Sequence, residues 1–348
     1  MTTVADGLYQ FGGMPVTAGM PPLLGANSHS YFVDPINGAD GNPGTSPNRA
    51  FATLYRAHYM MTAGQNDVCY LISDGTTASS ARLSLAVALS AQGPSETPAA
   101  TGTLTWSKNA CHLVGITAPG GVNSRARIAT PTGTYASATF GSGNMVVVTA
   151  QGCYFANFGV TQAYSTGGVT DIAWTDSGGR NTYSNVGFFG GQSAAAAAAS
   201  GSASLLVTGS TGENAFYTCT IGSDASVART GSFAELVLAG GSPRNRFYKC
   251  VIQTQAGSTS AAFWMTIGAS GIDRYVLFDD CVFVNMRVGS AAPFSLMAVG
   301  FSLDAAPGGT VLLRNCISTG ATKITTTGVA VTNQGAGNAG GGLGVAIT

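Results

Sequence analysis

The sequence predicts an all-β protein that folds as a parallel β-helix, with an extended N-terminal arm and a capping helix. Two observations predict this fold. Four cysteines recur at spacings of 31, 31 and 35 residues, and short apolar runs alternate with Gly, Ser and Pro through the same region. No helical pattern of period 3.6 persists between residues 100 and 320. Each unit of about 30 residues therefore forms one turn of a coil that stacks on the next at roughly 4.8 Å.

The N-terminal arm comprises residues 1–30, which are rich in Gly and Pro and form no core of their own. Its apolar side chains are too numerous for a freely solvated tail, so we expect the arm to lie on the coil or to anchor the protein to a partner. These side chains are Leu8, Tyr9, Phe11, Met14, Met20, Leu23 and Leu24.

Residues 31–75 are predicted to form a strand, a turn-rich loop, a helix over 50–62 and a second strand. One face of the helix is apolar and can cover the open end of the coil, since terminal repeats need a cap. Its members are Phe51, Leu54, Ala57, His58 and Met61.

The loop before this helix carries oxygen ligands that alternate with Gly, as calcium loops do, at Asp34, Asn37, Asp40 and Asn42. It lacks the terminal Glu of an EF-hand. A turn held by Asx hydrogen bonds is the favoured interpretation, and no metal site is predicted.

The coil is predicted over residues 76–322, where repeated segments align into three columns. The first holds Phe155, Tyr183, Phe216, Phe247, Phe278 and Leu313; the second holds Phe158, Val186, Cys219, Cys250, Cys281 and Cys316; the third holds Val160, Phe188, Ile221, Ile252, Phe283 and Ser318. Two residues between the first and second columns break strand alternation, so each pair predicts a bend: 156–157, 184–185, 279–280 and 314–315. A second apolar run precedes each unit, the last one at residues 294–300.

The cysteine column needs no chemistry to explain it, because a buried free Cys packs as a small hydrophobe. The predicted core ladder is Cys219, Cys250, Cys281 and Cys316 with Phe216, Phe247 and Phe278. Disulfides between adjacent turns are the alternative, although seven thiols cannot all pair.

No catalytic site is predicted. Asp279 and Asp280 sit at an outward bend beside Lys249 and Arg314, which indicates a surface charge ladder more than an acid–base pair. Other carboxylates considered are Asp171 and Asp176, five residues apart, and the single Glu213, Glu235 and Asp273. The three histidines, His29, His58 and His112, form no nucleophile pattern. No cofactor is expected.

Aromatic residues support an alternative interpretation, in which the protein is an enzyme that acts on polysaccharide along one face of the coil. The candidates for sugar binding are Tyr217, Tyr248, Trp174 and Trp264, of which the two tryptophans are equally compatible with core positions.

Composition limits the partners. The 15 basic residues balance the 15 acidic ones and charged residues are only 9% of the chain, so nucleic acid is not an expected partner. Zero net charge favours self-association, which suggests an assembly. Neither a membrane span nor a Sec signal peptide is expected.

The run Tyr-Phe-Val-Asp-Pro-x-Asn-Gly-x-Asp-Gly-Asn-x-Gly-Thr-Ser, then Phe-Ala-Thr-Leu and Asp-x-x-Tyr-Leu, resembles the opening motif of right-handed parallel β-helix proteins. The resemblance is strong over residues 31–75 and generic as far as about residue 320. Phage tailspikes, virion decoration proteins, polysaccharide lyases and surface adhesins share it.

The β-helix, the N-terminal arm, the missing signal peptide and the near-absence of charge together favour a non-enzymatic structural protein of a bacteriophage virion, assembled in the host cytoplasm. The favoured role is a homotrimeric capsid decoration protein that binds the major capsid protein through its arm. The alternative is a tailspike or fibre that binds or cleaves host surface polysaccharide. Residues 323–348 are predicted to be a Gly-rich C-terminal tail.

Overall fold

A computed structural model describes residues 10–11, 14–15, 27–72, 81–82, 103–116, 126–130, 143–163, 170–222, 228–257, 262–285, 296–325 and 331–333. These residues form a parallel β-helix, which confirms the predicted fold class. Three parallel sheets, named I, II and III below, run along the coil, and between residues 112 and 303 each turn adds one strand to each sheet. A short antiparallel pair, β1 (Gln10–Phe11) and β2 (Met14–Pro15), precedes them.

Sheet I is the longest sheet and its strands stack in chain order. They are β3 (Ser30–Val33), β4 (Val68–Ile72), β7 (His112–Ile116), β10 (Tyr154–Ala156), β13 (Thr182–Ser184), β16 (Ala215–Tyr217), β19 (Ser242–Tyr248), β22 (Ile272–Asp279), β25 (Gly309–Arg314) and β27 (Val331–Asn333). The last of them lies within the segment predicted as a tail.

Sheets II and III complete each turn. Sheet II contains β5 (Ala81–Arg82), β8 (Arg127–Ala129), β11 (Gly159–Thr161), β14 (Gly187–Phe189), β17 (Thr220–Ile221), β20 (Val251–Thr254), β23 (Val282–Asn285) and β26 (Ile317–Thr319). Sheet III contains β6 (Leu104–Trp106), β9 (Asn144–Val148), β12 (Ile172–Asp176), β15 (Ala203–Val207), β18 (Phe233–Leu238), β21 (Ala262–Ile267) and β24 (Phe301–Leu303).

The register of the strands matches the first and third columns of the sequence. Phe155 lies opposite Tyr183, and the pairing continues through Phe216 and Phe247 to Phe278. These rings stack inside the coil with centroids 4.5–5.0 Å apart. Each such pair contributes roughly 0.5–1.5 kcal/mol beyond area burial, so the stack fixes the register as well as filling the core.

The bends between sheets I and II lie in the left-handed backbone region. Their residues have φ between 51° and 59°, and the column runs Asn157, Asn185, Thr218, Lys249, Asp280 and Asn315. In the first five bends, the backbone N–H of the left-handed residue donates to a backbone carbonyl of the next turn. Asn and Asp suit this conformation because their short polar side chains tolerate it best after Gly.

One predicted strand is misplaced. The described part of the apolar run at 294–300, residues 296–300, supplies only an isolated bridge, Met297 to Ala321, and the strand of sheet III in that turn is β24. The strand starts after Gly300, where an added Cβ would lie 2.2 Å from the Trp264 ring.

The N-terminal end of the coil is covered by α1 (Leu54–Met60), which follows a short 3-10 helix (Pro47–Arg49). Thr53 caps its first turn through Oγ1, and Leu54 and Ala57 face the core. Lys108 holds its C-terminal end, because its Nζ donates to three backbone carbonyls, those of His58, Tyr59 and Met61, at 2.7–2.8 Å.

A second short helix, α2 (Ala194–Ala198), lies in the alanine run and begins after Ser193, whose side chain accepts from the backbone N–H of Ala196. Among the described residues no helix is long and apolar enough to cross a membrane.

Candidate functional site

The outer face of sheet I carries polar and aromatic side chains on β16, β19, β22 and β25. Residues that flank the buried first column point outward, because side chains alternate along a strand. From β16 to β25 the outward residues are Ala215, Tyr217, Arg246, Tyr248, Leu277, Asp279, Leu312 and Arg314. The register places them in two parallel rows along the coil.

Two tyrosines form an exposed platform on this face. Tyr217 and Tyr248 occupy neighbouring strands and stack with ring centroids 5.0 Å apart and planes 9° from parallel. Tyr217 is 42% exposed. Arg246 lies in the adjoining row and donates from Nη2 to the Tyr275 hydroxyl at 3.2 Å. Aromatic rings and a guanidinium therefore stand side by side on an open surface.

A carboxylate follows the platform on the next strand. Asp279 lies opposite Tyr248, and the Arg314 guanidinium donates to it through Nε, at 2.6 Å, and through Nη2. These hydrogen bonds from Arg314 lower the pKa of the Asp279 carboxyl. Asp280 follows in the bend and is exposed, and Lys249 occupies the preceding bend. The predicted charge ladder thus contains one close ion pair.

A second ion-pair cluster borders the opposite edge of the face. Glu213 accepts from Arg180 Nε at 3.0 Å and also pairs with Arg244 Nη2. Hydrogen bonds from these two arginines lower the pKa of the Glu213 carboxyl, with Arg244 the stronger influence. Glu213, single in the sequence, therefore bridges two turns and stays ionised.

Asp171 and Asp176 are both buried and do not face solvent as a pair. Asp176 accepts from the Tyr183 hydroxyl at 2.6 Å, from Asn181 Nδ2 at 3.0 Å and from the backbone N–H of Gly179 at 3.0 Å. Burial raises the pKa of Asp176, and these hydrogen bonds oppose that rise. The group is part of the corner of the coil.

Glu235 is fully buried with Arg229, and both side chains are 0% exposed. Arg229 Nε donates to Glu235 at 3.0 Å, and its other nitrogens donate to the carbonyls of Gly190 and Gly191. Ser204 donates to the second oxygen of Glu235 at 2.6 Å. This network ties a loop to the wall of the coil and is closed to solvent. Asp273, the last of the carboxylates considered, pairs with its neighbour Arg274 on the surface.

The loop considered for calcium uses its oxygens locally. Asp34 accepts from the N–H groups of Ile36 and Asn37, both at 3.0 Å. Asp40 accepts from the N–H groups of Ala52 and Thr53 at the start of α1. The side-chain nitrogen of Asn37 donates to Asp34, and that of Asn42 donates to the Ala50 carbonyl. The carboxylates hold backbone in place, and no group of metal-ligating side chains occurs among the residues that the structure describes.

The histidines lie at the N-terminal end and apart from the tyrosine platform. Burial lowers the pKa of His58 to about 3 and that of His112 to about 4. His112 Nδ1 accepts from the backbone N–H of Tyr154 at 3.0 Å, so its Nε2 carries the proton toward Asn66. His29 lies 3.4 Å from Asp67. None is poised as a base near Tyr217.

The structure places the cysteines of the core ladder inside the coil, directly after the bends. Cys219, Cys250, Cys281 and Cys316 are buried and free, as are the three other cysteines. Their thiols approach backbone carbonyls, for example Cys281 Sγ and Phe247 O at 3.3 Å. Burial raises the pKa of the Cys250 thiol well above its ordinary value.

Trp174 and Trp264 are fully buried, which leaves Tyr217 and Tyr248 as the surface aromatics of the four candidates. The side chains proposed for partner anchoring, Leu8, Tyr9, Phe11, Met14, Leu23 and Leu24, fall outside the residues whose side chains the structure describes.

Sequence reasoning missed Arg246 and Tyr275. The alternation around the first column would have found Arg246, because it precedes Phe247 and must point outward. No pattern in the sequence signals the Arg229–Glu235 pair, since a short loop brings Arg229 to its partner.

The sequence matches no family model and no curated protein. Several solved structures share its right-handed type of parallel β-solenoid. Pectate lyase Pel9A aligns with a TM-score of 0.60 at 15% identity over 92% of this chain and 77% of its own. A rhamnogalacturonan lyase aligns with a TM-score of 0.58 at 15% identity over 88% and 73%. Pectin methylesterase PemA from Erwinia chrysanthemi aligns with a TM-score of 0.52 at 12% identity over 90% and 91%.

These neighbours correct one prediction. The expectation that the protein is not an enzyme is contradicted, because the fold is shared with polysaccharide lyases and esterases, which points to possible enzymatic activity. The likeness itself, at 12–15% identity, establishes the fold. A phage origin is not part of what these neighbours share.

Proposed function

We propose that the protein binds an acidic polysaccharide along the outer face of sheet I, between β16 and β25, and cleaves it there. The observation that carries this proposal is the stacked pair Tyr217–Tyr248 beside Arg246 on an open sheet face. Tyrosine rings offer an apolar surface with a polar edge, which suits sugar rings. A guanidinium binds a carboxylate through two parallel hydrogen bonds.

The dimensions of the face support a linear polymer. Its side chains repeat at the spacing of parallel strands, roughly 4.8 Å, which is close to the length of one pyranose unit. A chain that runs along the coil would therefore meet a new strand at about every sugar. The names of the solved structures aligned with TM-scores above 0.5 include a pectate lyase and a rhamnogalacturonan lyase, which supports a polysaccharide substrate.

The two carboxylates nearest to the tyrosine platform, Asp279 and Asp280, can take different roles in glycosidic cleavage. Such cleavage commonly uses one ionised carboxylate and one that donates a proton. Arg314 keeps Asp279 ionised by lowering its pKa, so Asp279 serves as the fixed negative charge. Asp280, exposed in the adjacent bend, donates a proton to the glycosidic oxygen as its bond to the anomeric carbon breaks, and the water that adds to that carbon returns a proton to Asp280.

The test is incubation of the purified protein with polygalacturonate, rhamnogalacturonan, alginate and hyaluronan, and with neutral dextran. Binding, new reducing ends and the ultraviolet absorbance of a new double bond are measured. We expect binding and cleavage of an acidic polymer, and we expect Asp280→Asn to bind without cleaving. Asp304→Asn, at an exposed turn, is the matched control and should keep full activity. Failure to bind any of the four acidic polymers would overturn the proposal, and full activity of Asp280→Asn would overturn the role of Asp280.

The virion role stays a prediction from sequence. It is supported by the opening motif at residues 31–75 and by the apolar side chains of the arm, and a host surface polysaccharide would suit a tailspike or fibre. Quantitative mass spectrometry of purified virions tests it. A few copies per particle would fit a tailspike, a number near that of the major capsid protein would fit capsid decoration, and absence would contradict the prediction.

A further inference from the structure

A second apolar cluster lies outside the coil, on the outer face of sheet I near its N-terminal end. Its members alternate with the core residues of β3, β4, β7 and β10, and the register places them in two adjacent rows. Phe32 and Tyr70 stack there with ring centroids 5.3 Å apart. We name this set the outer cluster, and its members are Phe32, Val68, Tyr70, Val114, Tyr154 and Ala156.

The outer cluster is buried although it lies on the outside of the sheet. Tyr70 is 8% exposed and Tyr154 is 5% exposed, whereas Tyr217, further along the same face, is 42% exposed. Every described member of the cluster belongs to sheet I itself. One face of a single sheet cannot exclude water from its own outward side chains, so a further layer of chain covers the face from β3 to β10 and ends before β16.

Chain connectivity limits which segment can form this layer. Outside the described residues, segments 73–80 and 117–125 lead from sheet I to sheet II, and Val122 is their one Val, Leu, Ile, Met or aromatic residue. They are too polar to bury an apolar cluster. The longer segments 83–102 and 131–142 join sheet II to sheet III, and that corner lies opposite sheet I in a coil of three sheets.

The N-terminal arm has the reach and the composition that this layer requires. It enters the coil at β3, which is the edge of the covered face. Three strand spacings separate β3 from β10, about 14 Å, and about five extended residues span that distance. Asp6 is the one charged side chain of residues 1–30, and the outer cluster has none, so packing the two together desolvates little charge.

The described part of the arm also requires support from another surface. Strands β1 and β2 form an antiparallel pair in which Phe11 lies opposite Met14. An isolated two-stranded hairpin is at best marginally stable in water, and packing against a further apolar layer stabilises it. The outer cluster provides such a layer.

We propose that the N-terminal arm folds back on its own coil and covers the outer cluster. Its apolar side chains exclude water from Tyr70 and Tyr154, and Leu23 and Leu24 are the ones closest in sequence to β3. The inference does not rest on the proposed function. It assigns the face from β3 to β10 to the arm and leaves the face from β16 to β25 open. An arm bound in this way keeps few apolar side chains for a partner.

Photocrosslinking in the full-length protein tests the position of the arm. Tyr70→p-benzoylphenylalanine places a photoreactive ring within the outer cluster, and trypsin releases it in peptide 57–82, apart from the arm in peptide 1–49. We expect these two peptides to be linked. Tyr217→p-benzoylphenylalanine, on the open part of the same face, is the matched control and should give no link to peptide 1–49.

The linked peptide identifies the segment that covers the cluster. A link from residue 70 to peptide 83–108, 109–125 or 128–180, or no link to peptide 1–49, would overturn the assignment to the arm. A mixture of isotopically labelled and unlabelled protein shows whether both peptides come from one chain. A link between two chains would overturn the intramolecular position and assign the cover to a second copy.

Leu23→Asp combined with Leu24→Asp gives a second readout that leaves the outer cluster itself unaltered. Loss of the arm should raise labelling of Tyr70 by hydroxyl radicals about fivefold, which is the ratio of the 42% exposure of Tyr217 to the 8% exposure of Tyr70. Thr2→Asp combined with Thr3→Asp adds the same charge at the polar start of the arm and should leave the labelling unchanged. Unchanged labelling of Tyr70 in the leucine variant would overturn the proposal, and this comparison decides if the Tyr70 variant does not fold.

Discussion

Buried polar side chains in this coil have their charge states fixed by where they lie. His112 is neutral because both ring nitrogens have partners that suit the neutral form and because burial disfavours its cation. Asp176 is enclosed by donors at a corner of the coil, and Glu235 is matched by Arg229. Removing one member of such a set leaves its partner buried without a hydrogen bond or an opposite charge. The free energy of unfolding then falls by more than the intact set contributes to it.

We predict that the wild type loses stability relative to His112→Gln as the pH falls below about 6.5. The folded-state pKa of His112 is lowered to about 4, so the unfolded chain takes up the proton first. The stabilising contribution is therefore present above pH 6.5 and is lost as the pH falls toward 4. At pH 5 the relative loss should be about 2 kcal/mol, measured by urea unfolding at pH 7 and pH 5. A difference between the two proteins that is independent of pH would contradict this.

At the scale of the element, the bend between sheets I and II decides how each turn closes. The bend allows a three-residue step between the buried columns, which strict alternation forbids. Asn fills three of its six positions, and a β-branched residue, Thr218, fills one at φ 51°. A branched Cβ is poorly tolerated in that conformation, so Thr218 is the strained member of the column.

Thr218→Asn is expected to stabilise the protein by roughly 1 kcal/mol, because it relieves this strain while the backbone hydrogen bond to Tyr248 is kept. Thermal unfolding measures the change. Thr310→Asn, in the extended strand β25, is the matched control and should gain nothing. A lowered unfolding temperature for Thr218→Asn would show that the threonine is favoured at this bend.

The cap at the N-terminal end depends on one cation. Lys108→Met should lower the free energy of unfolding by roughly 2 kcal/mol, because three carbonyls at the end of α1 lose a charged donor. Urea unfolding gives the loss, and amide exchange should show it concentrated in residues 54–60. Lys249→Met removes an exposed lysine and should change the free energy of unfolding by less than about 0.5 kcal/mol. Equal effects of the two substitutions would contradict the role of Lys108.

At the scale of the whole molecule, the sequence predicts the fold well and the surface poorly. Stacked turns place like residues on like, so Phe216, Phe247 and Phe278 reveal the repeat directly. The outward side chains from β16 to β25 show no such repetition, because side chains in contact with solvent carry few packing constraints. Tyr217 and Tyr248 were recognisable as candidates, whereas Arg246 acquires meaning only from its register beside them.

The misplaced strand at residues 294–300 shows the same limit in the core. Apolar composition marks which residues are buried, as Met297 is, but the corner of the coil decides which of them pair. The Trp264 ring leaves no room for a side chain at residue 300, so this position must be Gly. Because Trp264 is distant in the sequence, a local pattern does not reveal this constraint.

Oxidative footprinting with hydroxyl radicals, read by mass spectrometry, tests most directly whether the outer face of sheet I binds acidic polysaccharide. The protein is labelled alone and with the acidic polymer that it binds most tightly. We predict that labelling of Tyr217 and Tyr248 falls while labelling of Met60, 36% exposed on α1, is unchanged. Unchanged labelling of both tyrosines at saturating polymer would contradict the account and place the binding surface elsewhere.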